Sequence, residues 1–388
     1  MGLVNFPMRI LLIGDYSNVH ATLAEGLRAL GHVVTVASDG DGWKDYPRDV
    51  DLRRYDQRAA NAQTSGNIPV RGNFSRLTYY LRLCRTFRHF RGYDVVQLIN
   101  PIFLPLRAER IWPFYRYLRR YNRRVFLGAF GMDYYYVKAC LDCTTFRYSD
   151  FNFGTELRHY PDADAFRRDW YYGPKGTLNR RIAADCDGIV AGLYEYWAAY
   201  NNDAALQSKL RFIPFPIKLP ATKDSPPSLS SPPQFFIGIQ RQRSLYKGTD
   251  IMFRALERVA RKLPNRLRIV KVENLPFAEY KQKLSQADVL LDQLYSYTPA
   301  MNALEAMAGG LVIVGGGEPE NYEIVGETQL RPIVNVLPTE DDVYEKLSHL
   351  ALHPEEILRL KAESLAYVRK HHDHINVARQ YLAAWKGE

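Results

Sequence analysis

The sequence predicts an α/β protein built from two doubly wound domains that face each other across a cleft. Three observations carry this expectation. Short apolar runs alternate with helical stretches through the first part of the chain, a Pro/Ser-rich segment interrupts them at 219–233, and the alternation restarts at 235. At 388 residues the chain also exceeds the size at which one hydrophobic core usually stops growing.

The elements follow in order. MRILLIG (8–14) reads as a buried strand, TLAEGLRALG (22–31) as a helix ending on Gly31, and HVVTVAS (32–38) as the next strand. DVVQLI (94–99), RVFLGAF (124–130) and DGIVAG (187–192) are further strands between helical stretches, and such continuous apolar runs imply a parallel sheet covered on both faces. LPATKDSPPSLSSPP (219–233) can neither pack nor continue an element, so it is the linker. Beyond it come the strand FFIGI (235–239), the helix DIMFRALERVARKL (250–263), the strand RLRIVKV (266–272) and the helix YKQKLSQ (280–286). The strand DVLLDQL (288–294), the helix NALEAMAGG (302–310) and the strand LVIVGG (311–316) complete the series. The expected division is a first domain at 1–218, the linker at 219–233, a second domain at 234–370 and a terminal helical segment at 371–388.

Composition narrows the class. With 46% hydrophobic and 24% charged residues, and no apolar run approaching the roughly 18 residues of a membrane span, the chain reads as soluble. Cys84, Cys140, Cys143 and Cys186 form no disulfide-like framework, which points to a reducing, cytoplasmic setting; Cys140-x-x-Cys143 lacks a second pair at zinc spacing and reads as packing. The net charge of +10 is regional: residues 76–124 hold twelve arginines, no lysine, and only Asp94 and Glu109 as acids. RLTYYLRLCRTFRHF and RIWPFYRYLRRYNRR interleave those arginines with aromatics at helical spacing. Two readings stand: solvated helices whose arginine stems cover a sheet, or a face that docks on an anionic membrane surface. No nucleic-acid motif accompanies the patch, so nucleic acid is not an expected partner.

Two stretches of the second half carry chemistry. In GIQRQRSLYKGTDIM (238–252) a strand ends, a loop presents Arg241, Arg243 and Lys247, Gly248 permits a close approach, and Thr249 or Asp250 caps a helix. Cations beside a helix N-terminus suit phosphate oxygens. In YTPAMNALEAMAGG (297–310) a helix begins near Ala300 with Asn302 and Glu305 early in it, and a carboxylate there can accept hydrogen bonds from sugar hydroxyls as acidic residues do for ribose.

GIQRQRSLYKG followed, after a strand–helix–strand stretch, by ALEAMAGG resembles the two-domain GT-B glycosyltransferases, most closely the retaining family 4 type. The resemblance implies that Arg241 and Lys247, with Arg243 a close competitor, bind the donor pyrophosphate, and that Glu305 holds the ribose. Tyr297 falls where that family has a second glutamate near the donor sugar, and Phe130 of GAFGMD (128–133) where it has a histidine, while Asp133 is retained. In GDYSNVH (14–20) the resemblance places Gly14, Tyr16, Ser17, Asn18 and His20 on the acceptor side of the cleft. It implies glycosyl transfer from a nucleotide-diphosphate sugar with retention, in surface polysaccharide or glycolipid synthesis. Cations stabilise the leaving diphosphate, and Asp133 and His20 are the candidate proton acceptors.

The remaining readings concern alternatives. A nucleotide-sugar epimerase or phosphorylase of the same fold, or a non-catalytic sugar-nucleotide-binding protein, would also fit these motifs. Asp162-x-Asp164 and Asp185-x-Asp187 have metal-bridging spacing, but with a cationic loop present no metal is expected. His371, His372 and His374 fall around a helix start instead of on one face and read as solvated. The last helix is expected to cross back to the first domain.

Overall fold

The structure is a computed structural model, and it describes residues 6–54, 73–220 and 228–387. In the first half the strands are β1 (Arg9–Ile13), β2 (Val33–Ser38), β3 (Val50–Asp51), β4 (Val95–Leu98) and β5 (Arg124–Ala129). A small hairpin, β6 (Asn152–Phe153) and β7 (Glu156–Leu157), precedes β8 (Gly188–Ala191) and β9 (Leu210–Phe212). Apart from the hairpin they form one parallel sheet in the order β3-β2-β1-β4-β5-β8-β9. The second half builds a parallel sheet from β10 (Gln234–Ile239), β11 (Arg268–Glu273), β12 (Val289–Leu291), β13 (Val312–Gly315) and β14 (Ile333–Asn335), in the order β11-β10-β12-β13-β14. The middle of the linker, 221–227, lies outside the described residues.

Both sheets follow from the apolar runs. Ile10–Ile13 of β1 and Phe235–Ile237 of β10 are fully buried because helices cover both faces of each sheet. Strand order reverses at β1 in one sheet and at β10 in the other, so the loops leaving these two strands sit at the switch points where α/β sheets bind ligands. Gly14 closes β1 at φ +77°, and a Cβ there would lie 2.2 Å from Ile99 Cγ2, so only glycine fits.

The first helix spans Val19–Ala29, three residues earlier than the expected Thr22. Asp15 explains the difference: its carboxylate accepts the backbone N–H groups of His20 (3.1 Å) and Ala21 (3.2 Å), the role of an N-terminal cap supplied from upstream. The short strands β3, β9 and β14 carry no expected counterpart; at two or three residues they are too short to show a period.

The chain returns to the first half at its end. Helix Pro354–His371 leads into helix His374–Lys386, which packs on Val19–Ala29; a Cβ on Gly26 would meet His374 O at 2.2 Å. Val377, Ala378, Tyr381 and Trp385 are buried there, and the Trp385 indole N–H donates to Gln97 Oε1 at 3.3 Å. The terminal histidines are engaged in packing: His371 Nε2 lies 2.7 Å from Glu327, and His372 Nδ1 lies 2.9 Å from Phe215 O.

The aspartate pairs do likewise. Asp185 and Asp187 both pair with Arg119, and Asp164 pairs with Arg167.

On one side of the cleft the halves are bonded together. Residues 144–172, between β5 and β8, bring Arg147 to Glu318 (2.8 Å) and Glu320, Tyr148 OH to Glu318 (2.5 Å), and Arg158 to Leu245 O (2.7 Å). Glu195, in helix Tyr194–Asn201, crosses to the second half and accepts from the Tyr297 N–H (2.6 Å), the Thr298 N–H (3.1 Å) and the Thr298 hydroxyl (2.5 Å).

Candidate active site

The other side of the cleft is open. A cavity of about 1080 Å³ lies between the carboxyl edges of the two sheets, lined by both halves.

Its cationic wall is the loop after β10. Residues Arg241–Arg243 form a short turn, Ser244–Lys247 a single helical turn, and Gly248 (φ +71°) starts helix Thr249–Lys262. A Cβ on Gly248 would come within 2.6 Å of Leu294, so glycine lets the loop lie against the strand edge. Arg241 is spent in part on Glu273 (2.9 Å). Arg243 and Lys247 make no ion pair among the described residues. Burial pushes the Lys247 ammonium pKa below the usual lysine range; Asp292 opposes this, and Arg243 and Lys44 add to it. Of the expected phosphate ligands, Arg243 and Lys247 are therefore the two without an ion-pair partner among the described residues.

The second wall suits hydroxyl groups. Helix Met301–Ala308 starts at Ala300, whose carbonyl accepts the Leu304 N–H at 3.0 Å. Asn302 donates to Asp292 Oδ1 at 2.8 Å and accepts from Tyr280 OH at 3.1 Å, which fixes its amide. Glu305 lines the cavity with Lys281 Nζ at 2.8 Å. The cavity then closes on Leu275, Pro276 and Phe277, against whose ring Tyr46 of the first half packs edge-on at 5.8 Å.

Several expected site residues lie elsewhere. His20 is fully buried, with Nδ1 2.7 Å from Gly14 O and its ring edge-on to Phe130; burial pushes its pKa down to about 3. Asp133 is also fully buried: one oxygen caps helix Tyr134–Leu141 through the Tyr136 N–H (2.9 Å) and the other accepts from Tyr200 OH (2.8 Å). Burial pushes its pKa up to about 7. Neither lines the cavity, and both are buried in contacts of the first half.

Tyr297 is 2% exposed and turned into the contact between the halves. Its hydroxyl accepts the Arg147 N–H at 2.7 Å, and the Arg147 guanidinium lies 4.8 Å from its ring centre. Of the acceptor-side loop, Ser17 alone reaches the main cavity; Asn18 lines a neighbouring one of about 490 Å³, and Gly14 and Tyr16 line neither.

Other groups enter unforeseen. Asp41, Lys44 and Tyr46, on the loop after β2, line the cavity from the first half. DGDGWKDY immediately follows a strand whose carboxyl end faces the cleft, and that position was the available signal. Asp150, which lines neither cavity, is held by Tyr136 OH at 2.9 Å near the cationic loop; burial pushes its pKa up to about 6, with Tyr136, Tyr246, Arg158 and Arg243 opposing. Nothing in its local sequence marks it.

No family model matches the chain, nor does any curated protein sequence. Solved structures do. Sucrose-phosphate synthase from Thermosynechococcus elongatus superposes with a TM-score of 0.62 at 14% identity, over 98% of this chain and 98% of that one. HepE of Anabaena in complex with UDP and glucose gives 0.58 at 11%, over 98% and 100%. WaaG, a glycosyltransferase involved in lipopolysaccharide biosynthesis, gives 0.55 at 12%, over 98% and 100%. The shared architecture defines the class of fold: two Rossmann-like domains facing each other across a cleft, with the last helix crossing back. The chain has the GT-B fold of these glycosyltransferase structures.

Proposed function

We propose that the protein is a glycosyltransferase that moves a sugar from a nucleotide-diphosphate sugar, in the first instance a UDP-sugar, to a hydroxyl of a glycan or glycolipid, with retention. The observation that carries this is the pairing of two cations, Arg243 and Lys247, with a hydroxyl-binding wall of Asn302 and Glu305 in one cavity at a switch point. Diphosphate fits the first and ribose the second. Among the superposing structures, HepE is described in complex with UDP-glucose, which supports this donor class. In transfer, the cations neutralise the charge that develops on the leaving diphosphate, and no divalent ion is called on.

Radiolabelled UDP-glucose, UDP-galactose and UDP-N-acetylglucosamine, offered with octyl glycosides and a polar-lipid extract, test the reading. Label is expected to pass to one acceptor, undiminished by EDTA, and Glu305→Ala is expected to weaken UDP about tenfold, or ~1.4 kcal/mol. Isomerised donor, or binding without turnover, would refute transfer.

The finer reading places the enzyme on an anionic membrane bearing its acceptor, at the cytoplasmic face. Helices Asn73–Phe87 and Trp112–Tyr121 pack together through Phe87 and Phe114 (4.6 Å), and their outer side exposes Leu77, Leu81, Arg85, Arg88, Arg116, Arg120 and Tyr121. Arg85, Arg88, Arg116 and Arg123 make no ion pair among the described residues. Each arginine near an anionic surface contributes about 1 kcal/mol. Changing these four to Gln is expected to cut binding to phosphatidylglycerol vesicles about 10²-fold or more at low salt; equal sedimentation of both proteins would count against it.

A further inference from the structure

The first half contributes Ser17, Asp41, Lys44 and Tyr46 to the cavity, and Asp41 is the one carboxylate among them. Its placement is unlike that of the other acids nearby. Asp15 and Asp133 spend both oxygens on helix caps and a buried phenol. Asp41 spends one: Oδ2 accepts from the Ser17 N–H at 2.9 Å and from Lys44 Nζ at 2.6 Å. Its own N–H donates to Asp39 Oδ1 at 3.2 Å, which pins its backbone at φ +56°, a left-handed conformation for a residue other than glycine. Oδ1 has no hydrogen-bond partner among the described residues. Arg243 and Lys247 line the same cavity, and Lys44 is near enough to Lys247 to disfavour its ammonium form. A carboxylate clamped through one oxygen, open through the other and lining the same cavity as the expected phosphate ligands is built to hold a hydroxyl where a sugar would be delivered.

Resting on the glycosyl transfer proposed above, we infer that Asp41 is the catalytic residue that receives the acceptor. The acceptor hydroxyl donates its hydrogen bond to Oδ1. In transfer the acceptor oxygen bonds to the anomeric carbon on the same face from which the diphosphate leaves, as retention requires, and the carbon–oxygen bond to the diphosphate breaks. The electron pair leaves with the nucleoside diphosphate, and the hydroxyl proton passes to Oδ1. Lys44 is a positioning residue: it fixes the carboxylate and does not touch the acceptor. The site takes a neutral polyol, because Lys44 already neutralises Asp41.

The test compares wild type with Asp41→Asn, Asp41→Glu and Lys44→Met. It uses UDP-glucose, UDP-galactose and UDP-N-acetylglucosamine as donors and octyl glucoside, galactoside and mannoside as acceptors. A general base contributes about 10²- to 10⁴-fold, so Asp41→Asn is expected to lower kcat at least about 10²-fold. It should also leave the UDP Kd and the melting temperature at wild-type values. Asp41→Glu should recover part of the rate, and Lys44→Met should lose less than Asp41→Asn. Transfer by Asp41→Asn within threefold of wild type would overturn the inference, as would loss of UDP affinity and melting temperature in step with the rate. Wild-type UDP binding without transfer to any of these glycosides would overturn it too. Failure of wild type to bind UDP defeats the donor reading instead.

Discussion

Lys247→Met is expected to lower kcat about 10²- to 10³-fold, the loss that follows removal of one preorganised charge from a site of developing negative charge. Lys247 lines the cavity beside Arg243 with no carboxylate in ion-pair range among the described residues, and burial with two neighbouring cations disfavours its charged form. A cation held at such cost in the free protein gains most when diphosphate arrives, and more still as the sugar–phosphate bond breaks. The substitution therefore has two further signatures. The free Met variant should melt at or above the wild-type temperature, since it no longer confines an unpaired charge. UDP should raise its melting temperature less than it raises that of wild type. Arg241→Met should do less on every count, because Glu273 already shares that guanidinium and leaves it at the rim. Kinetics with the labelled donors and a thermal scan with and without UDP decide the matter. A Met variant with wild-type kcat would remove Lys247 from the diphosphate site.

What the sequence disclosed and what it hid divide along physical lines. The parallel sheets were legible because buried strands must be continuously apolar, and β1 and β10 are. The loop after β10 and the helix carrying Asn302 and Glu305 were legible as cavity walls, because cations and polar side chains grouped at strand ends mark the carboxyl edge of an α/β sheet. The acceptor side was not. His20 and Asp133 have side chains suited to catalysis, yet Asp15 extends the first helix and Tyr200 claims Asp133. Nothing local in GDYSNVH states that a cap five residues upstream will turn the histidine inward. Asp41 and Lys44 went unread for the converse reason: an Asp/Gly-rich turn looks like any surface turn until the topology sets it on the cleft edge.

Glu195→Ala is expected to destabilise the protein by at least about 3 kcal/mol, since each buried donor left without a partner costs about 1–3 kcal/mol. The Glu195 carboxylate, 7% exposed, satisfies the Tyr297 and Thr298 N–H groups and the Thr298 hydroxyl across the two halves, and alanine would leave all three donors buried without a partner. The same contact accounts for Tyr297. Glu318 and Glu320 gather around Arg147 beside that ring, and Glu195 holds its backbone, so a further carboxylate at 297 would add a like charge to three already present. An aromatic ring under the guanidinium, accepting the Arg147 N–H through its hydroxyl, closes the interface without that repulsion. On the proposed function, residue 297 is unavailable to a donor sugar and the open side of the cavity takes that role. Glu195→Gln keeps an acceptor oxygen and should lose less than alanine. Burial raises the Glu195 pKa, with the Thr298 hydroxyl and the backbone N–H groups of Glu195 itself, Tyr297 and Thr298 opposing. For a carboxyl group raised in the folded state, the linked stability is fully present below the unfolded pKa and is lost as pH rises through the folded value. Chemical denaturation at pH 4 and pH 8 should therefore show wild type losing ground to Glu195→Gln as pH rises. An alanine variant as stable as wild type at both pH values would show that the halves do not depend on this contact.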